Sequence, residues 1–267
     1  MASPLRITDQ VGRIVQLNEP AKRIVSLVPS QTELLYDLGL NEEVVGQTLF
    51  CIHPNWAHQS KPRVGGTKTI KLDLIHSLKP DLILANKEEN VKEQIEQLEQ
   101  EFTVYISDIK NLADSYEMIS QVGLLTGKLQ AALDLNHQIQ ASFDSLNSKS
   151  TKHKVAYLIW KSPLMAAGKD TFIDAMLQSC GFENVFDFNQ GRYPETTIDE
   201  LNHLNPDFIL CSSEPFPFKE KHLEELSSLG LKAKMILVDG ELFSWYGSRL
   251  AKAPVYFNAL LNELHVG

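Results

Sequence analysis

No apolar run in this 267-residue chain approaches the ~18 residues that a membrane-spanning helix needs. The longest, such as Leu82-Ile83-Leu84-Ala85, are strand-sized, so no transmembrane segment is expected. Cysteine is scarce: Cys51, Cys180 and Cys211 are odd in number and far apart, which excludes a disulfide framework and a CxxC metal knuckle. They read as isolated buried thiols. The formal net charge of -9 is scattered, and no Lys/Arg cluster of the kind that neutralises phosphates is present, which excludes nucleic acid as a partner. Enzyme signatures are missing as well. Gly123-Leu124-Leu125-Thr126-Gly127-Lys128-Leu129 lacks the spacing and the Ser/Thr of a phosphate loop, and there is no GxGxxG after the first strand and no GxSxG elbow. Gly65-Gly66-Thr67-Lys68 is at most a weak anion cradle. The chain reads as a binder that carries out no turnover. Its opening, Met1-Ala2-Ser3-Pro4-Leu5-Arg6, lacks the basic and apolar regions of a secretory signal. Two compartments stay open: periplasm or envelope if a signal has been removed, cytoplasm if Met1 is the native start.

What is present, with 43% hydrophobic and 22% charged residues, is the composition of an ordinary globular protein. Short β-branched runs alternate with helix-period stretches: Arg23 to Leu27 leads to Thr32 to Leu38, and Leu82 to Leu84 leads to Val91 to Glu99. This is the βα alternation of a parallel sheet covered by helices. Ile7 to Leu17, with Asp-Gln-Val-Gly at its centre, predicts a small hairpin ahead of the first buried strand. Ser30 with Glu33 fits a capping box, and Gly39 a helix stop.

An internal echo carries the most information. Leu72-Asp73-Leu74-Ile75-His76-Ser77-Leu78-Lys79-Pro80-Asp81-Leu82-Ile83-Leu84 resembles Ile198-Asp199-Glu200-Leu201-Asn202-His203-Leu204-Asn205-Pro206-Asp207-Phe208-Ile209-Leu210. In each, an acid precedes by seven residues a Pro-Asp that launches an apolar strand. Val155 to Trp160, then Phe172 to Cys180 ended by Gly181, repeat the strand, helix and glycine of the first 39 residues. The duplication predicts two Rossmann-like lobes. Between them, 111–150 has apolar positions at steps of three and four and no strand signal, so it is helical, broken at Thr126-Gly127. A helix from about Lys128 to Leu146 would be close to 30 Å long at ~1.5 Å per residue, a stiff connector. The polar run Asn147 to Lys154 marks its end. The expected organisation is an N-terminal α/β lobe at 1–110, a helical segment with the connecting helix at 111–150, and a C-terminal α/β lobe at 151–267, with parallel-type sheets and a ligand cleft between the lobes.

In such sheets ligands sit outside the carboxyl ends of the strands. Those loops carry all three tryptophans, Trp56, Trp160 and Trp245, and a mixture of acids and bases. That lining suits a large ligand with flat apolar faces and polar edges, such as a corrin, a porphyrin or an aromatic siderophore. The alternative is that the tryptophans fill the core. His53, before a proline, is the candidate metal ligand through a neutral imidazole, or else it hydrogen-bonds a ligand edge; no His/Cys cluster completes a site around it. Lys87-Glu88-Glu89-Asn90 reads either as ligand-contacting or as a solvated helix start.

These stretches resemble a known family, the helical-backbone, two-lobe solute-binding proteins that deliver cobalamin, haem or ferric siderophores to ABC importers. The resemblance covers nearly the whole chain and is carried by Pro29-Ser30-Gln31-Thr32-Glu33-Leu34-Leu35, Val64-Gly65-Gly66-Thr67-Lys68, Leu78-Lys79-Pro80-Asp81-Leu82-Ile83 and Trp245-Tyr246-Gly247-Ser248-Arg249. It implies an ABC permease and its ATPase as partners, a small-molecule metal chelate as ligand, no intrinsic cofactor and a monomer. It also implies permease docking through an acid on each lobe, here Asp73 and Asp199, both Asp where the cobalamin binders have Glu; the plain alternative is that they decorate helix starts. Positions that flank the corrin in those proteins fall on Thr67, Asn86 and Tyr193, two of which have no ring, and His53 falls where they place a tyrosine. Asp239 to Arg249 matches the segment that contacts the corrin edge, making Glu241, Trp245 and Arg249 the expected second-lobe contacts. With His53, Trp56, Lys68, Glu88, Glu89, Trp160 and Arg192 these complete the expected binding set. A second reading keeps the fold and removes the permease: a cytoplasmic carrier of a corrinoid or metal complex. An enzyme acting on a metal centre would need cluster-ligating cysteines near the cleft, which three scattered ones do not provide.

Overall fold

A computed structural model describes residues 4–146 and 153–266. The chain forms two compact units, Met1–Ala141 with Trp245–Ala251, and Ser142–Ser244 with Lys252–Gly267. The first opens with the expected hairpin, β1 (Leu5–Thr8) antiparallel to β2 (Ile14–Leu17). Gly12 at φ 85° makes its turn, and the Asp9 carboxylate accepts the N–H groups of Val11 and Arg13 and the Arg13 guanidinium. There follow β3 (Ile24–Ser26), α1 (Pro29–Asp37), β4 (Val44–Gln47), α2 (Asn55–Ser60), α3 (Leu72–Leu78), β5 (Leu82–Asn86), α4 (Lys92–Leu98), β6 (Val104–Ser107), α5 (Leu112–Leu125) and α6 (Leu129–Asp144).

The sheet runs β4-β3-β5-β6 with every pair parallel. All five residues of β5 are buried, as a central parallel strand covered on both faces requires. On one face Val25, Leu27, Ile83, Ala85 and Val104 pack with Ile75 of α3 and Ile95 and Leu98 of α4. Each fully buried aliphatic side chain contributes about 1.5–3 kcal/mol of transfer free energy.

The second unit contains β7 (Lys154–Trp160), β8 (Leu164–Ala166), α7 (Phe172–Ser179), β9 (Glu183–Asn184), β10 (Glu195–Thr196), α8 (Ile198–Leu204), β11 (Phe208–Ser212), α9 (Glu220–Ser228), β12 (Lys234–Val238), α10 (Gly240–Ser244) and α11 (Ala253–Val266). Its sheet runs β10-β8-β7-β11-β12, with β9 alongside β7. The strands β7, β11 and β12 are parallel, but β8 turns back against β7 and β10 against β8. The expected parallel sheet is therefore mixed in this lobe, because the segment between β7 and α7 inserts a strand that the first lobe lacks. Its core joins Ala156, Leu158, Phe186, Leu201, Ile209 and Cys211.

The internal echo is structural. Both α3 and α8 end on a left-handed residue, Lys79 (φ 48°, ψ 60°) and Asn205 (φ 48°, ψ 57°), before the Pro-Asp. The Asp81 carboxylate accepts the N–H groups of Lys22 and Arg23, and the Asp207 carboxylate that of Lys154, so each acid ties its own strand to the neighbouring one.

Three expectations need correction. Ser30 and Glu33 form no capping box: the residue ahead of α1 is Val28, without a side-chain cap, and Pro29 supplies the first turn with a residue that has no N–H to satisfy. The connecting helix ends at Asp144, about 24 Å of helix at ~1.5 Å per residue, and the polar run 147–152 lies outside the described residues. The first unit also takes in 245–251, which the boundary at 151 had assigned to the other lobe. The break at Thr126-Gly127 and the glycine stops at Gly39 and Gly181 stand as expected, all three glycines having positive φ.

The two left-handed caps differ in cost, since Asn tolerates that conformation and Lys does not. Lys79→Gly should raise stability by about 1 kcal/mol and Asn205→Gly by less, read from urea unfolding.

Candidate functional site

Because the first sheet is parallel, the ends of β3, β4, β5 and β6 open on one side, and the loops there form the candidate site. The loop after β4 carries Leu49, Phe50 and Ile52, all exposed, while Cys51 between them is fully buried. The Cys51 Sγ lies 3.0 Å from Thr32 Oγ1 and 3.1 Å from Thr48 Oγ1. Gln47 holds the loop from below, its Nε2 donating to the Cys51 carbonyl while its Oε1 accepts the Tyr36 hydroxyl. Phe50 lies over Gly66, where a Cβ would come within 3.2 Å of the ring. Trp56 on α2 is 49% exposed with its ring edge-on to Tyr36 at 5.2 Å, so it is a surface ring, not core filling. His53 is half-buried, 5.5 Å from the Trp245 ring. Among the described residues no three His, Cys, Asp or Glu side chains converge as a metal site would require.

After β5 the chain turns on Asn86, which is only 4% exposed. Its Oδ1 accepts the N–H groups of Glu88 and Glu89, and its Nδ2 donates to the Ser107 carbonyl and hydroxyl. Asn90 braces the same turn, accepting the Asn86 N–H and donating to the Leu27 and Thr67 carbonyls. Asn86, expected to contact a ligand, has its amide engaged by its own turn and by Ser107 at the end of β6. Lys87-Glu88-Glu89-Asn90 forms this turn and is no helix start, because α4 begins at Lys92. Glu88 and Glu89 are half-exposed; Lys68 donates its Nζ to the Glu88 carbonyl, and Lys87 pairs with Asp108 at 2.6 Å.

The strap 245–251 completes the first unit. Arg249 donates from Nε and Nη2 to the two Glu33 oxygens, both at 2.8 Å, and lies 4.8 Å above the Trp245 ring. Tyr246 donates its hydroxyl to Glu89 at 3.4 Å. Burial, and then the Glu89 charge, push the Tyr246 hydroxyl well above its usual range, so it stays a donor. Trp245 and Arg249, expected among second-lobe contacts, thus belong to the first unit, and Arg249 is engaged by a buried carboxylate that sequence reading had given a capping role.

In the second unit Trp160 closes β7, 39% exposed, with Nε1 donating to the Ser162 carbonyl. Its ring meets Phe216 at 5.8 Å, and Phe216 meets Phe218 at 4.9 Å and His222 at 5.1 Å. Sequence reading missed this row of rings, although Pro215-Phe216-Pro217-Phe218 directly after a strand was its signal. Arg192 donates to the Asp170 carbonyl and lies 5.9 Å over the Tyr193 ring, which is 40% exposed. Glu241 is half-exposed in the first turn of α10, its N–H held by Asp239. Asp73 and Asp199 are exposed and occupy the same position, second in α3 and second in α8. A separate depression at the amino end of the first sheet, lined by residues such as Glu19, Asp81 and Phe102, includes no expected site residue.

Residues 24–230 match the model of one protein family, described as periplasmic binding protein. The chain belongs to the periplasmic binding protein family. Among its relatives, the vitamin B12-binding protein of Vibrio vulnificus (strain YJ016) is 29% identical over 197 residues, covering 72% of each chain. An uncharacterized ABC transporter substrate-binding lipoprotein, YvrC of Bacillus subtilis, is 29% identical over 220 residues, 78% of this chain and 69% of its own. In structure, this periplasmic binding protein is similar to the periplasmic vitamin B12 binding protein BtuF of Vibrio cholerae, with a TM-score of 0.78 and 23% identity over 93% of this chain and 99% of that one. The periplasmic heme-binding protein BhuT in complex with two hemes gives 0.76 and 21% over 92% and 99%. These likenesses in fold agree with two α/β lobes.

Burial pushes the Cys51 thiol up to about 11 and the Cys211 thiol to about 12, and raises Cys180 too. A thiol-specific chromogenic disulfide at pH 8 should therefore label none of the three in the folded periplasmic binding protein and all of them in urea. Rapid labelling of the folded protein would contradict the buried environments.

Proposed function

We propose that this protein is the solute-binding component of an ABC importer, taking up a metal chelate of the corrinoid, haem or ferric-siderophore class and passing it to a permease without chemical change. The observation that carries the reading is the open apolar loop Leu49, Phe50, Ile52 and Trp56 at the carboxyl end of the first sheet, surface that a protein normally buries. Trp160 and Tyr193 offer exposed rings in the second unit. The relatives named for vitamin B12, the heme-binding fold neighbours and the ABC-transporter lipoprotein support the same class and an envelope location.

Charge favours the corrinoid within that class. Several cations at the strand ends are already matched: Lys87 by Asp108, Lys161 by Glu225, Arg249 by Glu33 and Arg192 by Asp170. Glu88 and Glu89 add acidic groups to the loop after β5 in the first unit, and Glu241 adds one on α10 in the second. That surface suits a chelate with an amide or cationic edge better than one fringed with carboxylates or catecholates. His53 presents its imidazole beside Ile52 and Trp245 and serves as a ligand-edge contact or axial ligand. Asp73 and Asp199, repeated at one position of the duplicated unit, are the docking acids for arginines of the permease.

Titration followed by absorbance should show cobinamide binding at low micromolar Kd or tighter, and haemin and a ferric catecholate at least about tenfold more weakly. Failure of all three to bind would end the metal-chelate reading. His53→Ala should leave the visible band of the bound chelate shifted if the imidazole is axial and unshifted if it is an edge contact. Asp73→Ala with Asp199→Ala should keep ligand affinity and lose import into cells carrying the permease; unchanged import would remove the docking role.

A further inference from the structure

Glu33 lies in the middle of α1, 6% exposed, where an unpaired carboxylate would be costly. It is matched by two N–H donors of Arg249, whose other surface lies on Trp245. Gly247, at φ 97°, makes the bend that brings ring and guanidinium of the same strap together, and its N–H donates to Ser115. The Trp245 ring, itself only 8% exposed, then stands edge-on to half-buried His53, in the segment that also carries exposed Ile52 and Trp56. The order of contacts is Glu33, Arg249, Trp245, His53, running from helix interior to candidate binding surface.

We infer that Glu33 is a positioning residue for ligand binding: through Arg249 it fixes the Trp245 ring against His53, and Arg249 itself supports the wall without touching the ligand. The inference rests on the metal-chelate reading of the site. A bidentate carboxylate–guanidinium pair fixes direction as well as distance, and the planar guanidinium stacked on the indole transmits that direction to the ring. A surface ion pair would transmit nothing of the kind, because both side chains would move in solvent.

The test has two readouts. In protein carrying Trp56→Phe and Trp160→Phe, Trp245 is the sole tryptophan, and its emission without ligand reports the wall directly. Glu33→Ala should shift that emission to the red and about double its quenching by acrylamide, whereas Glu33→Gln, which keeps a carbonyl acceptor for Arg249, should retain most of the original signal. In protein with all its tryptophans, Glu33→Ala should weaken cobinamide binding by about tenfold and Glu33→Gln by less than about threefold. If Glu33→Ala does not fold, Arg249→Lys, which keeps the charge and loses the fork, should show the same red shift and weakened binding. An unmoved Trp245 signal, or a moved signal with unchanged affinity, overturns the inference. So does weakened binding in Arg249→Ala with none in Glu33→Ala, since Arg249 would then contact the ligand itself. Failure of the unmodified protein to bind cobinamide, haemin or a ferric catecholate is the distinct outcome in which the metal-chelate reading fails first.

Discussion

Two carboxylates fix the frame on which everything else is mounted. Asp81 holds the N–H groups of Lys22 and Arg23 just ahead of β3, and Asp207 that of Lys154 at the start of β7, so the central pair of strands in each sheet starts in register. A parallel pair has no hairpin turn to set its register, and a slip by one residue would exchange the two faces of a strand. For β5, buried throughout, such a slip would also misplace Asn86 and the turn built on it. The left-handed residue and proline ahead of each acid deliver it to the right place, which is why helix end, Pro-Asp and strand occur as one repeated block.

Above that frame the polar groups divide into two sets. Asn86, Asn90, Gln47 and Ser107 spend their hydrogen bonds on neighbouring loops and leave little for a solute. The apolar side chains beside them, Leu49, Phe50, Ile52 and Trp56, are left open. A polar scaffold largely bonded to itself beneath an open apolar surface is suited to recognition by shape and burial, with few directional bonds to rearrange. The second unit uses rings in the same way, with Trp160 steadied by Ser162 and by the edge of Phe216.

The duplicated lobes, the hairpin, the helical middle and the buried thiols were legible because each rests on local rules: periodicity, turn residues and the Pro-Asp block. What was not legible depends on long-range partners. Asn86 was expected to face a ligand, because nothing local reveals that Ser107, 21 positions away, would take its amide. Glu33 resembled half of a capping box, since its partner Arg249 lies 216 positions further on. The added strand β8 was hidden by its length of three residues. Topology marked the strand-end loops as the candidate site, but the division of labour within those loops was not legible.

The first unit is discontinuous in sequence, and this has a consequence for biosynthesis. While the ribosome has released only the first 141 residues, Glu33 on α1 lacks its bidentate Arg249 partner, and the surface to be covered by Tyr246 and Leu250 is still bare. Breaking a buried pair by withholding one partner costs about 3–5 kcal/mol, a large part of a domain's stability. The amino-terminal lobe is therefore less stable while the nascent chain stops short of residue 245 than it is in the finished fold. Its last stabilising contacts come with residues 245–251, after the strands of the second unit have been made.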